Sequence, residues 1–296
     1  MGPVSRPLMA HRNMERTAPA LSLADLRAEI DRIDAAMHDL LMERGEIIDR
    51  LIKVKHTAET GSAFRPAREA DMMRRLVERH HGILPLDTAE SIWRVIIATF
   101  TYVQAPFRVH ADLSAGDAAM RDSARFHFGF TVPFVTHIGA PGVVAAVARS
   151  KGDLGLVPAA AIAGSGAWWP ALEGSAPKII ARLPFLERAD HPAGLPVFAI
   201  ARPHPDALVT DVEMWSIKVS GWGPRPAQAL AAVTEAIAVP DAAFDGAALL
   251  VSVPSGQPLA EVIGALVKAG ASVRSQALVG SHARRYTVGA DGTVSH

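Results

Sequence analysis

The sequence has no cysteine. That excludes disulfides, thiol nucleophiles and cysteine metal sites. It also has no net charge, since Lys and Arg total 30 and Asp and Glu total 30. With no basic field, and no basic tract interleaved with aromatics, nucleic acid is not an expected partner. No window of about 18 residues is apolar enough to span a bilayer, so no membrane partner is expected either. The opening stretch MGPVSRPLMAHRNMERTAPA lacks an apolar h-region and does not read as a secretory signal. A cytoplasmic protein is the expectation, with residues 1–19 as a disordered tail.

What is present points to packed domains. Hydrophobic residues make up 49% of the chain and charged residues 20%, a composition that supports a core. The length of 296 residues suits two or three domains.

Residues 22–55 predict one long helix. Ser22 and Asp25 form a capping-box variant. Leu23, Leu26, Ile30, Ile33, Met37, Leu40, Ile47, Leu51 and Val54 follow, mostly three or four apart. That spacing is a helical stripe close to a heptad seam. Such a helix is roughly 50 Å long, too long for a small helical domain of its own, so an intertwined dimer is expected. A second helix starts at Arg65-Pro66, with Pro at its first position, and ends near Gly82. A third begins with Asp87 as cap and Glu90 completing the box, and stops at Pro106.

After Pro106 the pattern becomes α/β. FVTHIGAPGVVAAVARSKGDLGLVP reads strand, helix, strand, and GLPVFAIARP reads as a buried strand. MWSIKVSGWG reads as a strand followed by the helix PAQALAAVTEAIAV. AALLVSVPSG, PLAEVIGALVKAG, ASVRSQALVG and ARRYTVGADG read strand, helix, strand, strand. The expected domains are 20–107 (all-α), 108–205 and 206–296 (two α/β lobes, with a break near 203–211).

The helical stripe has one polar interruption. After Leu40 the next seam position is Arg44, and Ile47 resumes the pattern. A guanidinium on an apolar stripe needs a partner. An acid from another helix satisfies it, or an anionic ligand does. Arg27, Asp34, Leu41, Ile48 and Lys55 recur every seven residues beside the seam. Arg27 and Lys55 lie about 42 Å apart along the helix, so they meet one small ligand only if Arg27 comes from a second chain. In AFRPAREADMMRRL, bases stand where a helix start prefers acids. Either this is a solvated face or it serves an anion.

Together these residues carry a resemblance. LADLRAEIDRIDAAMHDLLMERGEIIDRLIKVK resembles the first helix of the all-α (AroQ-class) chorismate mutases, and the likeness covers roughly residues 20–107. The resemblance implies a three-helix fold that dimerises, chorismate as substrate, and no cofactor or metal. It places Arg27, Arg44 and Lys55 on the cations that hold the two carboxylates and the ether oxygen, with Arg27 supplied by the other subunit. Arg68 and Glu69 fall on the family's Arg-Glu pair, and Gln104 on the donor to the ether oxygen. Arg65 stands where the family often has an acid, and Phe100 where it commonly has a small polar residue. An entrance cation is the role expected of Arg65.

The second half resembles prephenate dehydratase, a periplasmic-binding-protein-like fold, with an ACT-like module as the reading of residues 206–296. The catalytic threonine's place is held by Leu195, Pro196 and Val197, and the family's Glu-Asn-Ser by Ala159, Ala160 and Ala161. A regulatory or oligomerising role without dehydratase activity is therefore expected. The leading function is chorismate-to-prephenate rearrangement. The alternatives are a bifunctional mutase/divergent dehydratase and a non-catalytic aromatic-metabolite-binding regulator. GSGAWW lacks the third glycine of a dinucleotide site. His80 and His81 suit a helix end, and SGWGPRP reads as a loop.

Overall fold

The computed structural model describes residues 22–55, 64–162, 164–202, 211–241, 245–289 and 293–295. The expected tail, the helix break at Gly61 and most of the break near 203–211 lie outside them. The chain forms two compact units, one ending at Ile48 and one beginning at Asp49. Among the described residues no helix is long and apolar enough to cross a membrane.

Helix α1 (Leu23–Lys55) runs 33 residues. Its start is the expected capping box: the Asp25 amide donates to the Ser22 hydroxyl at 3.1 Å, and the Ser22 amide donates to the Asp25 carboxylate at 3.0 Å. The apolar stripe is largely uncovered along the first unit, with Ile30 57% and Leu40 64% exposed.

In the second unit α2 (Pro66–Arg79) has Pro66 in its first turn, as expected. Helix α3 (Leu86–Gln104) departs from expectation at its start. Pro85 is the N-cap and no side chain caps it. Asp87 instead faces Arg188, and Glu90 is fully buried against His191 at 3.2 Å. Both acids were expected to satisfy local amides, and distant basic side chains took them instead.

Then follow β1 (Val109–Asp112), α4 (Asp117–Phe128), β2 (Phe134–His137), α5 (Ala140–Arg149), β3 (Leu154–Pro158), β4 (Lys178–Leu183), β5 (Leu186–Glu187) and β6 (Val197–Ala201). After these come β7 (Val212–Ser220), α6 (Pro224–Ala231), β8 (Ala236–Asp241), β9 (Gly246–Pro254), α7 (Leu259–Lys268), β10 (Ser272–His282), β11 (Tyr286–Val288) and β12 (Val294–Ser295). Nine strands make one sheet in the order β2-β1-β3-β6-β4-β10-β7-β9-β8, and β12-β11-β5 make a second. Strands β3 and β6 are buried along their whole length, as expected of apolar runs covered on both faces.

The elements from β7 to β10 are a split βαβ unit: the order β-α-β-β-α-β is laid out in the sheet as fourth, first, third, second. The expected long helix PAQALAAVTEAIAV is only its first half. From Ala236 the chain becomes the edge strand β8. There Ile237 and Val239 join one core while Ala236 and Ala238 join the next. That alternation has the period of a strand, and pairing with β9 outweighs the helical preference of alanine.

Helices α2 and α3 do not form a core of their own within this unit. Phe64, Met73 and Ile97 pack in one cluster with Phe107, Phe128, Leu154 and Leu183.

The two parts of the large sheet meet at β4 and β10, where Gly280 pairs with Ile179. A Cβ at Gly280 would lie 2.2 Å from the Ile179 carbonyl oxygen and 2.5 Å from its nitrogen, and the glycine has φ +148°. Both obstacles are backbone and cannot swing aside. Gly280→Ala should therefore lower unfolding stability by about 3 kcal/mol or more. Gly256→Ala, at φ +93° with nothing within 4 Å, should cost only about 1 kcal/mol. Denaturant unfolding of both variants tests this; equal effects would remove the special status of the seam.

Candidate functional site

The sequence-expected residues fall on three helices. In the first unit Arg27 is exposed and Arg44 half-buried on α1. Lys55 is the last residue of α1, and its side chain lies outside the described residues.

At the start of α2 the question raised by the charged run is answered residue by residue. Arg65 is the N-cap, contributes no side-chain cap, and donates to the Phe64 carbonyl at 3.1 Å. Arg68 is exposed. Glu69 faces the other way: it is 4% exposed and accepts from Arg94 at 2.8 Å. Its amide donates to the Arg65 carbonyl at 3.0 Å. Burial pushes the Glu69 carboxyl up, while Arg94 and Arg65 pull it down. At the far end of α3, Gln104 is half-buried and donates to the Phe100 carbonyl at 3.0 Å. Arg65 and Glu69 are thus brought together.

Sequence reasoning missed the buried polar layer beneath this run. Arg94 on α3 is 1% exposed, donates to the His127 carbonyl at 3.4 Å, and lies 5.2 Å above the Phe185 ring. His127 stacks on His191 with ring centroids 6.3 Å apart, and His191 meets Glu90. Both ring nitrogens of His127 are buried without a partner. Burial first, and then Arg94 and His191, hold its pKa well below the ordinary histidine value. The only available signal was the charge pattern of α3, where Glu90 and Arg94 sit four apart on one face.

The positions compared with prephenate dehydratase are also placed. Val197 is buried in β6, and the Leu195 carbonyl accepts from Ser123 at 2.9 Å. Ala160 and Ala161 line a cleft beyond the end of β3.

A helical segment presenting cations, followed by a mixed α/β sheet, is the class of protein defined by these elements. Residues 26–105 match the family model described as chorismate mutase type II. The bifunctional chorismate mutase/prephenate dehydratase of Stutzerimonas stutzeri is 28% identical over 140 residues, which is 46% of this chain and 38% of that protein. The chain thus matches less than two fifths of that relative's length. Among solved structures, a prephenate dehydratase from Streptococcus mutans aligns over 60% of this chain and 99% of its own at 10% identity and TM-score 0.35. GqqA, described as a novel type of quorum quenching acylase, aligns over 59% and 93% at 14% identity and TM-score 0.39.

Two predictions test the electrostatics. Glu69→Gln leaves the Arg94 charge buried without its counter-ion, and should cost about 3 kcal/mol in unfolding free energy. Glu69→Gln combined with Arg94→Met should recover part of that loss; no recovery would mean that the pair is not the cause. The second concerns His282 on β10, which is 3% exposed. Its Nδ1 contacts the Ala283 carbonyl at 2.8 Å and its Nε2 is buried without a partner. Burial, with Arg182 and Arg285 opposing protonation and Glu235 favouring it, pushes His282 down to about 4. The unfolded chain then binds the proton first as pH falls. Stability is present above the ordinary histidine pKa of about 6.5 and is lost toward pH 4, by about 3 kcal/mol for His282 alone. His282→Gln should flatten part of that slope in unfolding measured from pH 7 to pH 4; an unchanged slope would sink the assignment.

Proposed function

We propose that this chain is a chorismate mutase, acting through residues 26–105. The match of that span to the chorismate mutase type II family carries the reading. The helices α1, α2 and α3 and the cations on them support it. Chorismate to prephenate is a unimolecular pericyclic rearrangement that needs no nucleophile. The enzyme has to hold a flexible dianion in its reactive conformer and stabilise charge growing on the ether oxygen as the C–O bond breaks. Arg27, Arg44 and Arg68 grip the carboxylates, a task suited to the guanidinium fork. Lys55 and Gln104 donate to the ether oxygen. Arg65 adds a cation at the entrance. Glu69 accepts from the substrate hydroxyl only if its bond to Arg94 opens, because that carboxylate is buried against Arg94 in the single chain.

The proposal includes a homodimer with Arg27 supplied by the second copy. The exposed stripe of Leu26, Ile30, Ile33, Met37, Leu40 and Ile47 is an apolar surface that a second copy of α1 would cover. The α/β region serves a regulatory or assembly role, with the split βαβ unit as an ACT-like module. The relative's name favours a second reading, in which the chain is also a dehydratase. Against it stand Leu195, Pro196 and Val197 in place of the Thr-Arg-Phe strand.

The assay is direct. Purified protein given chorismate should consume it and accumulate prephenate; no prephenate defeats the proposal, and phenylpyruvate above background revives the dehydratase reading. Gln104→Ala should lower kcat by about 10²–10³-fold. Arg27→Ala and Lys55→Ala homodimers should both be inactive, yet mixing and exchanging them should restore roughly a quarter of wild-type activity, because a two-fold dimer then holds one intact site in half its molecules. No restoration would place Arg27 in the same chain's site or outside it.

A further inference from the structure

We propose that the cleft at the carboxyl ends of β1 and β3 is a second ligand site, one that takes a small cation with a ring-sized apolar body and one hydrogen-bond acceptor. The proposal is independent of the mutase reading.

The topology puts a crevice there. Strand β1 lies between β2 and β3, and both pairings are parallel. The chain leaves β1 through α4 to reach β2 on one side, then crosses through α5 to reach β3 on the other. Connections that diverge to opposite sides open a crevice beyond the strand ends, where α/β sheets bind ligands. The cleft found at that point has a volume of about 310 Å³, within the range that holds a small molecule. Its walls are Ile138, Val157, Trp168, Trp169 and Val239. Val239 belongs to β8, so the split βαβ unit closes one side.

The polar groups in this apolar shell are few, and they have unmet bonding capacity. Asp112 is 3% exposed. Its Oδ1 accepts from the Ser114 amide at 2.9 Å and from the Gly139 amide at 3.0 Å, which holds the carboxylate at the rim of the cleft. The indole N–H of Trp169, on a residue 1% exposed, is buried without an acceptor, and the Ser114 hydroxyl is buried without a partner. A buried donor left unmade is costly, and both residues line the cleft, so a ligand acceptor there has donors to answer.

Charge sets the class of ligand. Among the described residues that line the cleft, Asp112 is the one ionisable group, and none is Lys, Arg or His. His137, whose charge Asp112 influences, is disfavoured as a cation by burial, His110 and Arg149, with Asp112 favouring it. The first turn of α5 is already answered by the Asp112 carboxylate at Gly139. An anion would meet a low-dielectric wall and a like charge. An ammonium would meet a carboxylate in a wall that includes two tryptophans. Alanines at 160 and 161 leave room for the ligand body and bring no charge.

Three probes separate the terms: tyramine, 2-phenylethylamine, which lacks the phenol oxygen, and 4-hydroxyphenylacetate, in which a carboxylate replaces the terminal aminomethyl group. Binding to the full chain is followed by tryptophan fluorescence and by calorimetry. Tyramine should bind roughly tenfold or more tighter than 4-hydroxyphenylacetate. Asp112→Asn, which keeps the oxygen that caps Ser114 and Gly139, should remove that preference. Trp169→Phe should remove the advantage of tyramine over 2-phenylethylamine. Ala161→Arg, which adds a cation to the wall, should reverse the charge preference. Thermal melts establish that each variant is folded. The proposal is overturned if 4-hydroxyphenylacetate binds as tightly as tyramine, if no probe saturates the wild-type chain, or if Asp112→Asn leaves tyramine affinity unchanged.

Discussion

Among the described residues, one backbone pairing joins the two parts of the large sheet. Gly280 and Ile179 approach so closely that no side chain fits between them, and only glycine allows β4 and β10 to lie side by side. Beyond that seam Trp169 and Leu172 pack with Met214 and Leu250 of the split βαβ unit. The cleft with Asp112 at its rim depends on the same junction, since Val239 reaches it from the far edge of the sheet. If the seam opened, the core that supports the tryptophans would lose one of its faces.

Charge is distributed differently at the two candidate sites. On the helices Arg27 and Arg68 are exposed and Arg44 and Arg65 half-buried, a spread of cations that the proposed capture of a dianion calls for. In the cleft a single carboxylate stands among apolar walls. A buried layer of Glu69, Arg94, Glu90, His191 and His127 lies in the second unit. Within it Glu69 and Arg94 pair, and burial disfavours the charged form of His127. Glu69 therefore serves two readings: a substrate group in the family resemblance, and the counter-ion of Arg94 in the single chain.

The helices were legible because their signals are local. Ser22 and Asp25 close on each other within one turn, Pro66 is compatible with a first turn and little else in a helix, and the stripe from Leu23 to Val54 has a helical period. The failures were of two kinds. Residues 236–241 look helical by composition, but their alternating burial against two cores shows the period of a strand, and a partner strand far along the chain supplied that. Asp87 and Glu90 fit a capping box by spacing, yet Arg188 and His191 bound them. Asp112 gave no local sign of importance and Arg94 only its spacing from Glu90, because each matters through neighbours distant in sequence.

The sequence by itself determined the three N-terminal helices, the spacing of Arg27, Arg44 and Lys55 on one of them, and the resemblance to a chorismate mutase. These depend on periods, caps and residue chemistry that neighbouring positions express. The tertiary structure alone decided that Glu69 turns inward to Arg94, that nine strands share one sheet, and that Asp112, Ser114 and Trp169 converge on a single cleft. Burial and backbone pairing join residues far apart in the chain, and desolvation then sets which polar groups are answered and which still await a partner.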